Sequence, residues 1–504
     1  MVGGGRKNAC GDKNRDLAPT DRQKGARSHE ERGVDIALNP SVLDFVEDIK
    51  TLEQACLAVA RHLFVALIEA LDDALLAQKP KHYKCVGKRR RTLSTLIGDI
   101  VIHRRLYVHA SKKRGKKKGS KARFLLNERL NIQPRRRVTH GLLRLIVSAA
   151  TRLSFREVSE MLEEAGFPRI SHTTIHNEVR RYGELQSQVL QQSKELLFVA
   201  GQRVENVELR KVPVLFIEAD GIIVNCQGAD TTKLELKLAA IHEGWEELGK
   251  RRKLKKATTV IGLFNGGDDF WETVTAQLMK TYDLTDTQIV INGDGADWIQ
   301  KTAKDYFADA IVQLDRYHLI RDLRLAVGQK AANDLLAQLD RGDVTVFVDT
   351  LEAMAPRIPE KRREVYGKLL NLFKKYPEHL LDYRHRLGNE YEGIRLHGMG
   401  AAETMVDKKV ANRMKKRGML WSRIGACAMA SLLMLRSNDQ LFQWLDRHPE
   451  NDVLNPVPRL RQQVITSGHE APGEWLRVAM PSLGYSTKPW VIALRNLSGF
   501  STAL

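Results

Sequence analysis

Apolar and polar residues follow three different periods along this chain. Residues 39–85 place apolar side chains at helical spacing and predict a long helix or a pair of helices. Residues 92–108 alternate on either side of Gly98, as the two strands of a β-hairpin do. Helical spacing returns in residues 138–183, and from about residue 205 short apolar runs bounded by turn residues predict buried strands. The pattern therefore predicts helices and a hairpin followed by an α/β region.

The order of elements in the α/β region suggests a fold. Residues 205–322 predict three strands, a helix, a strand, a helix and a strand, which is the order expected of a ribonuclease-H-like core. Residues 323–390 predict consecutive helices, interpreted as an all-α insertion, and residues 391–436 are expected to add a last acidic core helix beginning near Gly400. The expected fold class is multidomain α+β, with a ribonuclease-H-like α/β catalytic core preceded by a helical and helix-turn-helix region.

Composition points to a polyanionic partner. The 504 residues include 81 Lys and Arg against 61 Asp and Glu, a formal charge of +20, which favours nucleic acid first and an anionic membrane surface second.

The five cysteines form no CxxC pair, which argues against a zinc ribbon and a disulfide framework. Neither a membrane-spanning apolar stretch nor the apolar core of a signal peptide is recognised, so the expectation is a cytoplasmic, nucleoid-associated protein without a membrane partner. Residues 1–38 are expected to be a disordered basic tail, and residues 437–504 a C-terminal region to which the sequence assigns no role.

Cations are concentrated in residues 86–137, the predicted basic hairpin and loop. Six of the seven residues from 112 to 118 are cationic. A solvated charged loop is the alternative, but cations elsewhere in this region favour contact with phosphates. The candidate phosphate contacts are Arg104, Arg105, Lys112, Lys113, Arg135 and Arg136.

Two helices joined by a short turn are predicted within residues 138–183. Ser154 and Glu157 form a capping-box pattern at the start of the first helix, and Ser171 is a cap for the second. A helix-turn-helix would place the second helix in the DNA major groove, whereas a plain helical hairpin has the same pattern. The candidate base-contacting residues are His172, Thr173, His176, Asn177 and Arg180.

Carboxylates end two of the predicted strands, as Asp220-Gly221 and Asp294-Gly295. Taken singly, each aspartate is more simply interpreted as a turn residue. Together, at the carboxyl ends of strands in one sheet, they suggest a site for two Mg²⁺ ions, with Mn²⁺ as a substitute, in phosphodiester chemistry. The residues leave the third acid open among Glu218, Glu243, Asp268, Asp269, Asp297, Asp315 and Glu403.

Four motifs together resemble a known family. IEADG, INGDGADWI, DRYHL and the block from GAAETMV to MLWSRIGACAMA are similar to motifs of the ISLre-type bacterial insertion-sequence transposases, a DDE group similar to Mutator-like enzymes. The resemblance implies a ribonuclease-H-like fold with a helical insertion and a catalytic, metal-binding triad of Asp220, Asp294 and Glu403. It also implies that Asp315 and His318 are a supporting pair; a packed histidine is the alternative for His318.

The implied function is transposition. The chain is expected to bind double-stranded DNA, both the element ends and the target, as a homodimer or larger assembly, and to cut and join strands with metal ions. Two alternatives stay open from the sequence: a catalytically silent DNA-binding regulator derived from a transposase, and a structure-selective nuclease.

Overall fold

The computed structural model of this chain describes residues 47–109, 122–201, 208–228, 232–249, 251–387, 391 and 394–448. The predicted tail, the loop cations Lys112 and Lys113, and residues 449–504 lie outside the described residues. The chain divides into two compact units, residues 1–59 and residues 60–504, and the described part of the first unit is residues 47–59, where a helix begins. Helices and strands are both abundant, so the fold is mixed α+β.

Helix α1 (Ile49–Ala77) is a single long helix. By length and composition it is the one helix among the described residues that is apolar enough to cross a bilayer, contrary to the expectation from the sequence. A single helix of this kind is weak evidence for a membrane span, because long helices of soluble proteins meet the same criterion. Its residues Ile68 and Leu75 are buried in a small core with Leu93 and Ile102.

The predicted hairpin is formed by β1 (Tyr83–Thr95) and β2 (Gly98–His109), which pair antiparallel. Helix α2 (Leu125–Arg129) follows and covers β2. Three helices come next: α3 (His140–Ala150), α4 (Phe155–Glu164) and α5 (His172–Phe198).

The start of α4 confirms the capping box. The Glu157 N–H donates to Ser154 Oγ at 3.2 Å, and the Ser154 N–H donates to Glu157 Oε2 at 2.6 Å. The sequence pattern predicts that the second helix of residues 138–183 ends near Gly183 and that residues 183–202 form a separate linking helix. This prediction is wrong, because α5 runs through Gly183 without interruption. Gly183 marks instead the place where α5 crosses a later helix, at Ala428.

The central sheet has five strands. They are β4 (Val214–Asn225), β5 (Lys233–His242), β8 (Thr258–Gly262), β10 (Gln288–Gly293) and β11 (Ile311–Leu314), and their spatial order is β11-β10-β4-β5-β8. Strand β5 pairs antiparallel with both β4 and β8, whereas β10 is parallel to β4 and β11 is parallel to β10. Polar and apolar residues alternate over residues 233–245, which predicts a half-exposed strand. The last seven residues of β5 are nevertheless all buried, because β5 lies between β4 and β8.

Shorter elements surround this sheet. Two small ribbons pair β3 (Arg210–Lys211) with β9 (Tyr282–Asp283) and β6 (Trp245–Leu248) with β7 (Arg251–Leu254). The helices that connect the later strands are α6 (Gly266–Met279), α7 (Asp297–Gln300), α8 (Thr302–Tyr306) and α9 (Arg316–Val327).

The region after α9 is helical and has its own apolar core. It contains α10 (Gln329–Asp340), α11 (Val344–Ala353) and α12 (Glu360–Lys375), with 3₁₀ turns at Ala355–Arg357, Pro377–Leu380 and Tyr383–His385. Leu323, Leu335, Phe347, Leu369 and Phe373 form the centre of this core. The segment VTVFV, ambiguous from its sequence, is the first half of α11.

The last part of the described chain is a broken helix rather than the one long helix expected. Its elements are α13 (Ala401–Met405), a π-helical segment (Val406–Ala411), α14 (Asn412–Met414), α15 (Arg423–Ser437) and α16 (Leu441–Arg447). Helix α13 packs on β4 and β5, and α15 packs on β8 and α5. The helix that carries Glu403 is therefore anchored on the two central strands.

We expect Gly183→Ala to destabilise the protein. A Cβ atom at Gly183 would overlap the backbone of Ala428, so α5 and α15 would have to separate. Overpacking of this kind costs about 1–3 kcal/mol of unfolding free energy, measurable by denaturant titration. The matched control is Gly367→Ala in the middle of α12, where a Cβ meets nothing within 4 Å; it should stabilise the protein by roughly 0.5–1 kcal/mol. Equal effects of the two substitutions would contradict the close crossing.

Candidate active site

A row of buried polar side chains crosses three neighbouring strands on one face of the sheet. Asn292 of β10 lies directly opposite Glu218 of β4 on one side and Gln313 of β11 on the other. All three are at most 2% exposed. Gln313 Nε2 donates to Asn292 Oδ1 at 2.8 Å, and Asn292 Nδ2 donates to Asp315 Oδ2 at 2.8 Å. Buried polar groups satisfied in this way fix one side-chain arrangement, because each alternative leaves a group unpaired.

Asp315 directs His318 toward the site. As the N-cap of α9, its Oδ1 accepts the backbone N–H groups of Tyr317 and His318 at 3.0 and 3.1 Å and lies 3.1 Å from His318 Nδ1. Burial opposes ionisation of Asp315, but the hydrogen bonds from His318 and Asn292 keep its pKa below the ordinary value. The hydrogen bond to Asp315 in turn raises the pKa of His318, so the cationic imidazolium is favoured.

The pKa of Asp220 is affected by the other two acids of the predicted triad, Asp294 and Glu403. Burial is the main cause that raises its pKa to about 6. A hydrogen bond from the Gly221 N–H opposes the rise, the charges of Asp294 and Glu403 add to it, and the charge of His318 reduces it. The fold therefore brings Asp294 and Glu403, which are far apart in sequence, close enough to act on Asp220. Asp220 does not end its strand as the sequence suggested, because β4 continues to Asn225.

Asp294 stands at the carboxyl end of β10 and is exposed. Its Oδ1 accepts the Ala296 N–H at 3.0 Å, which fixes the turn into α7. Gly295 within this turn has φ +93°, and a Cβ there would approach Leu372 to 2.9 Å. Both the left-handed backbone and the close contact require glycine after the aspartate.

Glu403 lies on α13 with one side open to solvent. Its Oε2 is 3.6 Å from His318 Nε2, so the imidazole stands between Asp315 and Glu403. Arg321, one turn after His318 on α9, also interacts with Glu403. The pKa of Arg321 is raised first by its hydrogen bond to Asp322 and also by the charge of Glu403. Sequence reasoning missed Arg321, although its spacing of three from His318 places both on one helical face.

Glu218 has a structural task rather than an exposed carboxylate. It is fully buried, and its Oε2 accepts the backbone N–H groups of Gly400, Ala401 and Ala402 at 2.7, 2.6 and 3.3 Å. Its Oε1 lies 3.2 Å from His242 Nε2. A carboxylate at a helix N-terminus satisfies free N–H groups and interacts favourably with the helix dipole. Glu218 thereby fixes the first turn of α13, which carries Glu403.

The other candidates for the third acid each have a hydrogen-bond or ion-pair partner. The partners are Arg210 and Tyr282 for Glu243, Tyr306 for Asp268, Lys194 for Asp269, Lys375 for Asp297 and His318 for Asp315. Glu403 is the member of the set whose charge acts on Asp220.

The chemistry of the three carboxylates suits a hard divalent cation. In the part of the chain that the structure describes, no three His, Cys, Asp or Glu side chains are spaced as a ready metal site. Mg²⁺, however, is commonly held by one or two carboxylates together with water and substrate phosphates. Asp220 and Asp294 provide such oxygen ligands, and mutual repulsion of the acids is the condition that a cation relieves.

The predicted base-contacting residues lie at the start of α5. His172, Thr173, Asn177 and Arg180 are exposed, whereas His176 is half-buried with its ring edge-on to Phe155 at 5.5 Å. The opposite face of the helix is buried through Ile175, Val179 and Tyr182, and contacts α3 and α4. This polar face is therefore accessible while the helix is held from behind.

Two of the predicted phosphate contacts on the hairpin need correction. Arg104 is 8% exposed with its guanidinium 3.7 Å from the centre of the Phe124 ring, and burial followed by the charge of Arg91 lowers its pKa to about 10. Arg105 is paired with the fully buried Asp72 at 2.9 Å. Both cations stabilise the hairpin, since they are turned inward and are not available to a phosphate.

The cations that follow the hairpin differ from one another. Arg135 is exposed, with φ +65°. Arg136 is largely buried and paired with Glu178 of α5, so it connects this segment to the helix of the predicted base contacts. On β1, by contrast, Lys88, Arg89 and Arg90 are exposed and form a cationic strand that the sequence also contained.

Comparisons with known proteins assign a family but no activity. A family model described as "Uncharacterised protein family (UPF0236)" matches residues 39–446. A relative from Streptococcus gallolyticus, named "UPF0236 protein in vanSb 3'region", is 25% identical over 425 residues, which are 80% of this chain and 86% of the relative. The family model covers the chain from α1 to α16. It therefore includes Asp220, Asp294 and Glu403, which we call the acid cluster.

Glu218→Gln is expected to loosen the start of α13. Loss of the charge weakens hydrogen bonds that a carboxylate accepts from three N–H groups, and bonds to a charged acceptor are worth roughly 1.5–3 kcal/mol. We expect a loss of that size in unfolding free energy and faster amide exchange at residues 400–402. Glu246→Gln, an exposed position on β6, is the control and should change neither. Unchanged exchange in Glu218→Gln would show that the buried carboxylate does not hold the helix.

Asp220→Asn is expected to stabilise the metal-free protein above pH 6. The folded pKa of about 6 exceeds the ordinary value of 3.8, so ionisation of Asp220 costs stability that develops between these pH values and is fully present above pH 6. Removal of the charge should add about 1–3 kcal/mol at neutral pH and almost nothing below pH 3.8. Thermal melts across this range test the sign. Asp309→Asn, exposed at the opposite end of β11, is the control.

Proposed function

We propose that this chain, which belongs to the uncharacterised protein family UPF0236, is a DDE transposase that binds the ends of a mobile DNA element and catalyses strand cleavage and strand transfer. The observation that carries the proposal is the position of Asp220 and Asp294, each two residues beyond the carboxyl end of the parallel β4–β10 register at Glu218 and Asn292, together with the charges of Asp294 and Glu403 acting on Asp220. These are the acids of the DDE triad implied by the resemblance of the sequence motifs. Ligand sites in α/β sheets lie at this end of the strands.

The arrangement of the sheet supports a ribonuclease-H-like core. Three antiparallel strands are followed by a helix, a strand parallel to the first, further helices and another parallel strand. This matches the element order expected from the sequence. The helical region with its own apolar core precedes the segment that carries Glu403, as the resemblance implies for an insertion before the last acid.

Asp220 and Asp294, with Glu403 completing the set, are the residues that would hold the divalent ions. Two such ions supply activation of the attacking oxygen and neutralisation of charge on the phosphate. Mg²⁺ is the proposed ion and Mn²⁺ its substitute, because both prefer oxygen ligands.

The residues around the acids have roles of their own. When protonated, His318, which Asp315 orients, reduces the repulsion that Asp220 experiences and would offer its Nε2 hydrogen to a phosphate oxygen. Arg321 adds a second positive charge on the same side. Together they would orient a phosphodiester against the carboxylates, which would otherwise repel it.

DNA contact and self-association complete the proposal. The exposed face of α5, with His172, Thr173, Asn177 and Arg180, is the proposed reader of the element ends. Transposition joins two ends, so we propose at least a dimer on DNA. Phe64, Leu67 and Leu76 of α1 are 38%, 60% and 36% exposed, which supports an apolar contact between copies.

The decisive comparison is Asp294→Asn with Asp297→Asn, two substitutions three residues apart. Asp297 is paired with Lys375 and is exposed, so its loss should leave catalysis within a few-fold of the parent. Asp294→Asn should lower metal-dependent cleavage and strand transfer by at least about 100-fold, because it removes a charge that stabilises the reacting centre. The assay uses a duplex bearing the terminal sequences that flank the gene for this chain.

Each outcome of this assay has a meaning. Full activity of Asp294→Asn would exclude the assigned site. Specific binding of the terminal duplex without any cutting in Mg²⁺ or Mn²⁺ by the parent protein would favour the silent regulator. Cutting without joining would favour the structure-selective nuclease.

A further inference from the structure

A basic cleft lies along the helical segment that continues from the helix carrying Glu403. Its volume is about 650 Å³, and it is bordered by α3, the π-helical segment, α14, α15 and α16. Five cations border it, Arg152, Lys408, Lys409, Arg413 and Arg436, against one carboxylate, Asp439. Such a concentration of one sign of charge raises the local concentration of anions.

Two of these cations are held rigidly. Arg413 is 2% exposed; its Nε donates to the Ala150 carbonyl oxygen at 2.7 Å, and its guanidinium lies over the Trp421 ring at 5.0 Å. Arg436 Nη1 donates to the Thr151 carbonyl oxygen at 2.9 Å. Burial, and then the charge of Arg152, lowers the pKa of Arg436, which is the direction expected where cations are crowded together.

The floor of the cleft contains polar atoms that lack a partner. Arg413 Nη1 and Ser437 Oγ are buried and accept or donate no hydrogen bond within the described part of the chain. Buried donors are almost always paired, and an uncompensated buried cation is costly. An anion with several oxygen atoms would satisfy both groups at once.

The rim of the cleft carries cations that are free to reach a ligand. Arg152, Lys408 and Lys409 are exposed, and none of them has an ion-pair partner among the residues described. They come from two different elements, the turn after α3 and the π-helical segment. π-Helical turns are rare and are frequently found at functional sites. Here the turn positions two lysines about one helical turn beyond Glu403.

We propose that this cleft binds phosphate groups of a DNA backbone. The phosphate chemistry follows from the cations and the unpartnered donors. The choice of DNA over a free phosphate compound rests on the proposed function and on the number of cations, two of which, Lys408 and Lys409, lie on the helical segment that continues from Glu403. A duplex backbone presents many phosphates in succession, so several cations can each contact one, whereas a single ion cannot engage all of them.

The test is the binding of a fluorescein-labelled duplex of arbitrary sequence to the full chain, measured by anisotropy over a series of salt concentrations. The variant Arg152→Gln/Lys409→Gln removes two exposed rim cations, and Lys361→Gln/Arg362→Gln removes two exposed cations of α12 as the matched control. The cleft variant should bind about tenfold more weakly, with a salt slope smaller by about two, because each phosphate contact contributes roughly one unit. Identical affinity and slope for the cleft variant and the control would overturn the proposal.

Calorimetry with inorganic phosphate and with ATP distinguishes the sources of phosphate. We expect millimolar or weaker binding of both compounds, and competition with the duplex in the parent protein. Micromolar ATP binding that is lost in the cleft variant, with duplex binding unchanged, would overturn the assignment to DNA.

The outcome is separable from the proposed catalysis. A chain that binds duplex through the cleft but cuts no DNA supports this inference and refutes transposition. If the parent protein cuts and joins DNA while the cleft variant binds duplex as well as the control variant does, transposition is supported and the cleft proposal is refuted.

Discussion

The site depends on one buried carboxylate. Glu218 is removed from water on the central strand, and a lone charge there would be strongly destabilising. Three backbone N–H groups at the start of α13 compensate it, and the same bonds satisfy the helix end that would otherwise lack partners. Without this contact, the carboxylate would be a buried group lacking these donors and the three N–H groups would lack an acceptor. The position of Glu403 relative to Asp220 is therefore set by the need to pair a buried charge rather than by side-chain packing alone.

Around this anchor the electrostatics are arranged in two opposing sets. Asp315 and His318 stabilise one another's charged forms, whereas Asp220 is pushed toward its neutral form by burial and by the neighbouring acids. The first set is structurally satisfied; the second is poised to gain from an added positive charge. Asn292 and Gln313 connect the two sets to the sheet through bonds that are buried and directional. The same strands thus hold Asp315 and His318 in place and bring Asp220 near the other acids that disfavour its ionisation.

Sequence reasoning succeeded where the determining interactions are local and failed where they are distant. The capping box of Ser154 and Glu157 and the position of Asp294 directly after β10 depend on a few neighbouring residues, and the sequence pattern predicts both correctly. The prediction that Asp220 ends its strand is wrong, because pairing with β5 carries β4 through Asp220 and Gly221 to Asn225. Whether Arg104 meets a phosphate or the Phe124 ring depends on a partner brought close by folding. Gly183 resembled a helix end, but its role is decided by Ala428, far along the chain. Glu218 was one acid among several candidates, because nothing near it in sequence reveals the three N–H groups that it accepts.

The contact between Glu218 and α13 also has a consequence in time. The carboxylate and its partners are 182 to 184 residues apart, so a ribosome that adds 5–20 residues per second produces the partners only about 10–40 s after the strand. During this interval the strand carries an acid with no compensating group. Burial of the strand is disfavoured for as long as the partners are missing, and a chain that ends before residue 400 leaves the Glu218 carboxylate without these three N–H groups. Assembly of the acid cluster is thereby tied to synthesis of nearly the whole protein.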